Sequence, residues 1–153
     1  MFSNRFNWSY LVSAGIILSA ALSNCTMNTA NQELEINDPW ARAGTVDTPG
    51  AVYLEVVNQT GGQETLLGGS SPQCAAVELH ETIEMEDGVM GMQPVEGGIP
   101  IADGERVALQ PGGYHFMCLG KTKAFESGST LPFELLFQAS GSIELDIPIQ
   151  TAE

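Results

Sequence analysis

The sequence predicts an all-β, antiparallel domain, a β-sandwich or a small barrel. Three observations predict it. Short apolar or alternating runs recur through residues 33–150, separated by turn chemistry. Seventeen Gly and eight Pro in 153 residues supply many turns. No stretch keeps a helical period beyond about two turns.

The runs follow in order. Residues 33–37 (ELEIN) alternate. Residues 51–58 (AVYLEVVN) are apolar and β-branched, and end at Gln59-Thr60-Gly61-Gly62. Residues 75–84 (AAVELHETIE) and 89–95 (VMGMQPV) flank Met85-Glu86-Asp87-Gly88. Asp-Gly between two such runs is a strong hairpin signal. Residues 106–109 (RVAL) lead through Pro111-Gly112-Gly113 to residues 114–119 (YHFMCL). Residues 131–138 (LPFELLFQ) and 142–150 (SIELDIPIQ) flank Ala139-Ser140-Gly141. That makes seven or eight strands of one domain, with no internal repeat and no second-domain linker. Pro39, Pro49 and Pro111 fall at predicted strand ends or turns, where proline is tolerated. Trp40 is expected to pack at the core or an edge and not to touch a ligand.

The first segment reads as an address. Residues 1–7 carry Arg5 and no acid, and residues 8–22 (WSYLVSAGIILSAAL) run fifteen residues without a charge. A spanning helix needs roughly 20. A short apolar run behind a positive start reads as an export signal over residues 1–25. The alternative is a permanent N-terminal anchor; Ala20, Ala21 and Ser23 fit cleavage better. Leu22-Ser23-Asn24-Cys25 resembles the lipobox of bacterial lipoproteins, where the Cys is lipidated. Cys25 is then a membrane attachment point; otherwise the cut falls near Ser23 and the protein is free in the periplasm. Residues 26–33 (TMNTANQE) read as a tether, and residues 34–150 as the folded domain.

The charge is lopsided. Five Lys and Arg stand against nineteen Asp and Glu, formally −14. Loss of Arg5 with the signal leaves four against nineteen, or −15. Such a surface repels phosphate backbones, which argues against nucleic-acid binding. It attracts cations and basic partners. Export argues against nucleotide-dependent chemistry, and no Gly-rich phosphate loop appears.

Both histidines, His80 and His115, share one window with Met85, Met90, Met92 and Met117, four of the six methionines. Residues two apart on a strand share a face. His115 and Met117 therefore project together, with Phe116 towards the core. Met90 and Met92 share a face of their own strand. Val77 and Leu79 are the expected core pair of the preceding strand, which turns His80 outward with Ala76 and Glu78. The hairpin then collects two imidazoles and two or three thioethers on one surface patch. Imidazole with thioether suits soft Cu(I), whereas zinc and calcium favour other ligand sets. Glu78, Glu81, Glu84, Glu86, Asp87 and Glu96 supply long-range attraction. Any one of these residues alone reads more naturally as packing or surface; the cluster points to metal.

Several stretches resemble periplasmic copper chaperones of the PCu(A)C family. They are Asp38-Pro39-Trp40-Ala41-Arg42-Ala43, then Pro49-Gly50-Ala51-Val52-Tyr53 with Asn58. Val77-Glu78-Leu79-His80-Glu81-Thr82, Val89-Met90-Gly91-Met92-Gln93-Pro94-Val95 and Pro111-Gly112-Gly113-Tyr114-His115-Phe116-Met117 follow. The likeness spans residues 34–150. It implies a cupredoxin-like Greek-key β-sandwich with a solvent-accessible Cu(I) site. It also implies delivery of copper towards the copper centre of cytochrome c oxidase. Carried over by position, the ligands are His80, Met92, His115 and Met117. The intervals 81–91 and 93–114 are each one residue longer than the family pattern. The hairpin loop can absorb the first. Met92 is the closer match, and Met90 on the same face is the alternative.

Cys118 has no place in that motif. It reads as a small buried hydrophobe, as a disulfide partner of Cys74, or as a further copper ligand. Strand parity sets Cys74 on the His80 face and Cys118 opposite His115, so the bond needs a bulge.

Three functions compete. The first is a Cu(I) carrier, a monomer that works by ligand exchange with an acceptor protein. The second is a blue-copper electron carrier, which needs two His, a Cys thiolate and a weak axial ligand. The third is a metal-free binding module. An enzyme is least favoured, since no nucleophile–base–orienter set is visible.

Overall fold

The structure is a computed structural model that describes residues 33–86 and 88–151. The signal segment 1–25 with Cys25, residues 26–32 of the tether and Asp87 lie outside the described residues. The described residues form ten strands. They are β1 (Leu34–Arg42), β2 (Gly50–Asn58), β3 (Glu64–Ser70), β4 (Cys74–Glu84) and β5 (Met90–Pro94). β6 (Ile99–Ile101), β7 (Arg106–Leu109), β8 (Tyr114–Lys121), β9 (Thr130–Phe137) and β10 (Gly141–Gln150) complete it. The predicted all-β fold is the observed one.

The strands form two leaves. One runs β5-β4-β8-β7-β2-β1, and the other β10-β9-β3-β6. A short parallel pairing joins them, Ala41 with Ile149 and Arg42 with Gln150. β8 also pairs with β2, Gly50 to Val52 against Cys118 to Phe116. Inward residues alternate along β9: Leu131, Phe133, Leu135 and Phe137 are all buried. They meet Val52, Leu54, Val56 and Phe116 of the other leaf in one core. Phe116 and Phe133 touch across it, ring centroids 5.3 Å apart. Each such side chain contributes about 1.5–3 kcal/mol by leaving water.

Two strands were not legible as runs. β3 contains Gly68-Gly69, and β6 is three residues around Pro100. They pair with each other, Glu64 with Ile101 and Leu66 with Ile99, at the rim of the second leaf. Gly69 is required there: a Cβ would stand 2.6 Å from the Phe133 ring.

The first strand is longer than the ELEIN run. It continues to Arg42 through a register shift between Asn37 and Trp40, with Asp38 at φ 47°. Pro39 therefore sits inside β1 at a bulge, not at a strand end. Trp40 stacks on Tyr53 of β2 at 4.6 Å.

Glu64 is a buried carboxylate that holds the β9–β10 turn. Its oxygens accept the N–H groups of Thr65, Ala139 and Ser140 at 2.8–2.9 Å. Burial alone would raise its pKa. The Ser140 side chain and these backbone donors outweigh burial and lower it to about 2.

Candidate metal centre

β8 reads YHFMCLGK, and its alternation sorts the side chains. Phe116 and Cys118 point inward and are fully buried. His115 and Met117 take the other face. β4 lies antiparallel to β8 with His80 directly opposite His115 and Glu78 opposite Met117. β5 flanks β4 on its other side, with Met92 opposite Thr82 and Met90 opposite Glu84. Directly opposed residues share a face. Even-numbered positions of β4 and β5 thus join His115 and Met117 on one surface.

The two imidazole centroids are 6.0 Å apart. Their hydrogen bonds leave one nitrogen of each available. His115 Nδ1–H donates to the Gly113 carbonyl at 3.1 Å, which leaves the lone pair on Nε2. His80 Nε2–H donates to Glu78 Oε2 at 2.8 Å. His80 Nδ1 then carries the lone pair, and it is buried without a hydrogen-bond partner. Each acceptor orients its ring and sets which nitrogen carries the hydrogen, as partners behind metal-bound histidines do.

The histidines are more enclosed than an outward face implies. His80 is 8% exposed and His115 5%. Tyr53 stands 6.3 Å from the His115 ring. Pro111 and Gly112 close the same cleft, which has a volume of about 430 Å³. Arg42, Gly50, Ala51, Thr82, Met92, His115 and Met117 also line it. The surface patch expected from strand parity is therefore a cleft where buried His115 meets the exposed Met92 thioether, with buried His80 beside His115 and outside the cleft lining. Met92 is 56% exposed, and Met117 is half-buried.

Other predicted residues fall elsewhere. Met90 shares the Met92 face, is 58% exposed and does not line the cleft. Met85 folds back over Gly91, with its Cε where a Cβ on Gly91 would stand. Gly91 presents the opposite face of β5, so Met85 is carried away from the histidines. Cys118 is not free to ligate. Its sulfur is bonded to Cys74, and it lies on the core face. Parity alone opposed that bond. The ladder omits the Ala75–Gly120 step, where Gly120 adopts φ 58°, and the two Cα atoms come within 5.4 Å.

Glu78, expected only as a long-range charge, is a direct hydrogen-bond partner of His80. Its spacing of two from His80 on a strand was the available signal. Arg42 and Tyr53 carried no chemical signal in sequence; pairing between β1, β2 and β8 brings them to the cleft. A larger hollow of about 500 Å³ lies on the second leaf, lined by Ser70, Glu134, Glu144 and Asp146 among others. It holds none of the histidines or methionines.

Among the described residues, no three His, Cys, Asp or Glu side chains gather as a metal site. Imidazole with thioether, the combination His115 makes with Met92 and Met117 in the cleft, is a soft pairing that suits Cu(I) better than zinc or calcium.

The architecture is that of PCuAC domains, cupredoxin-like β-sandwiches. The copper-bound PCuAC domain from PmoF2 matches with a TM-score of 0.64 and 24% identity, over 78% of this chain and 93% of that one. The Cu(I)-bound DR1885 solution structure from Deinococcus radiodurans matches at 0.60 and 21%, over 82% and 85%. Residues 34–149 match the family model "Putative lipoprotein LpqE-like", and the chain belongs to that LpqE-like family. A relative from Leifsonia xyli subsp. xyli, named "Putative lipoprotein Lxx21020", is 26% identical over 117 residues, 76% of this chain and 69% of that protein.

Proposed function

We propose that this protein is an exported Cu(I) carrier that holds one ion through His80, Met92, His115 and Met117. One observation carries the reading. His115 shares a cleft with the Met92 and Met117 thioethers, and the His80 ring stands 6.0 Å from His115 with a buried, unpartnered Nδ1; among the described residues no three His, Cys, Asp or Glu side chains gather as a rival site. Neutral ligands hold a monovalent cation without needing to lose protons from thiols or acids. The exposed Met92 gives an acceptor's ligands access, so copper moves by stepwise exchange. The work is transport, not catalysis. The copper-bound PCuAC domain from PmoF2 supports the choice of metal.

The protein acts as a monomer in the periplasm or an equivalent exported compartment, with residues 1–25 as its signal. Lipidation of Cys25 attaches it to the membrane, in keeping with the lipoprotein name of its relative. The acceptor is a protein in the assembly of the cytochrome c oxidase copper centre, which rests on the family resemblance alone. The blue-copper alternative lacks its thiolate, because Cys118 is bonded to Cys74.

Anaerobic Cu(I) titration against a chromogenic chelator tests the reading, with X-ray absorption at the copper edge to count nitrogen and sulfur ligands. One Cu(I) per chain with mixed nitrogen and sulfur ligation is expected. A Met92→Ala, Met117→Ala variant that binds as tightly as the parent would sink it. Absence of binding at stoichiometric copper would favour a metal-free module.

A further inference from the structure

This inference rests on the Cu(I) reading above and extends it. We propose that Met90 is a transit ligand: it receives Cu(I) at the β4–β5 hairpin, passes it to Met92 and the histidines, and returns it by the same route.

Position is the first argument. Met90 and Met92 are two residues apart on β5, so they share a face with Cα atoms about 7 Å apart. Met92 lines the cleft, and Met90 stands one step outside it. Both end in a thioether on a flexible stem. One ion can therefore be touched by both in passing. β5 is the outermost strand of its leaf, with no further strand beyond it on that side among the described residues.

Exposure is the second. Seven large hydrophobic side chains are notably exposed among the described residues, and four belong to this hairpin: Met85, Val89, Met90 and Met92. Met90 is not part of the core or packed against it. Its thioether is thus unaccounted for by burial, the usual reason for a methionine. Glu84 stands directly opposite Met90 and is exposed, which places a negative charge beside the outer thioether. That charge draws a cation to the entrance without joining the soft donor set. Met85 takes the opposite face over Gly91 and is outside this route.

The step is a ligand exchange. A bond from Cu(I) to Met90 sulfur forms as a bond to the delivering ligand breaks. A bond to Met92 then forms as Met90 leaves. Copper stays Cu(I), both thioethers stay neutral, and no proton moves. A group bound only in transit lowers the barrier in both directions and leaves the end states unchanged.

Stopped-flow transfer of Cu(I) between the protein and a chromogenic chelator tests this, with equilibrium competition on the same samples. Met90→Leu keeps apolar bulk and removes sulfur at an exposed site. Loading and unloading should both slow by about tenfold, with equilibrium affinity within about twofold of the parent. Met92→Leu should instead weaken the equilibrium. Met90→Leu exchanging at the parent rate overturns the proposal. So does Met90→Leu weakening equilibrium binding as much as Met92→Leu, which would make Met90 a resident ligand. A parent protein that takes up no Cu(I) overturns this proposal together with the copper reading.

Discussion

His80 and Glu78 lie two residues apart on one strand face, and the Glu78 carboxylate accepts the His80 Nε2–H at 2.8 Å. That bond decides which imidazole nitrogen is left to bind. Without it the ring can turn or take the other tautomer. Glu78→Ala should weaken Cu(I) binding by about 10- to 100-fold, the usual cost of losing a partner behind a metal-bound histidine. Chelator competition checks it, and an unchanged affinity would remove Glu78 from the site.

The disulfide ties the two strands that carry both histidines. Its cysteines are 44 residues apart in sequence. A closed loop of that size is worth about 4 kcal/mol in the chain-entropy account. The Cys74→Ala, Cys118→Ala variant should lose about 2–4 kcal/mol in urea denaturation. Mass spectrometry of the unreduced parent should find no free thiol at either position. Two alkylatable thiols there would contradict the bond.

Gly50 lies between the cleft and the core. A Cβ there would stand 2.5 Å from Phe125 Cε2 and 3.2 Å from Cys118 Cβ. Phe125 is buried, with the Lys121 ammonium 4.7 Å from its ring centroid, so it has little room to yield. Gly50→Ala should destabilise by about 1–3 kcal/mol through overpacking. The midpoint of urea unfolding should fall with no change in slope.

Glu64 sets an acid limit. Its folded pKa is depressed to about 2 from an ordinary 4.5. A depressed carboxylate stabilises the fold fully above its unfolded pKa. That stabilisation fades as pH falls from about 4.5 towards 2, and it amounts to about 3 kcal/mol at neutral pH. Glu64→Gln should lower stability at pH 7 and flatten its decline over that acid window. A parallel pH profile in parent and variant would refute this.

Strand parity was the part of the site most legible in sequence. His115 with Met117, and Met90 with Met92, were paired correctly because a regular strand has period two. Parity says which face a side chain takes, not what covers that face. His115 is faced by Tyr53, which arrives from β2, distant in sequence. The same limit explains the cysteines, since a positive φ at Gly120 interrupts the period between them. β3 escaped notice because Gly68-Gly69 suggests a turn, whereas Gly69 makes room for Phe133.

The direction of β1 has a consequence for how the molecule presents itself. The strand starts at Leu34, paired with Asn58, and ends at Arg42 beside the cleft. Its nine residues put about 25 Å between those ends. The domain therefore has a rear pole, where the chain enters, and a front pole, where the cleft opens. Any attachment upstream of Leu34 therefore joins the domain at the pole away from the cleft.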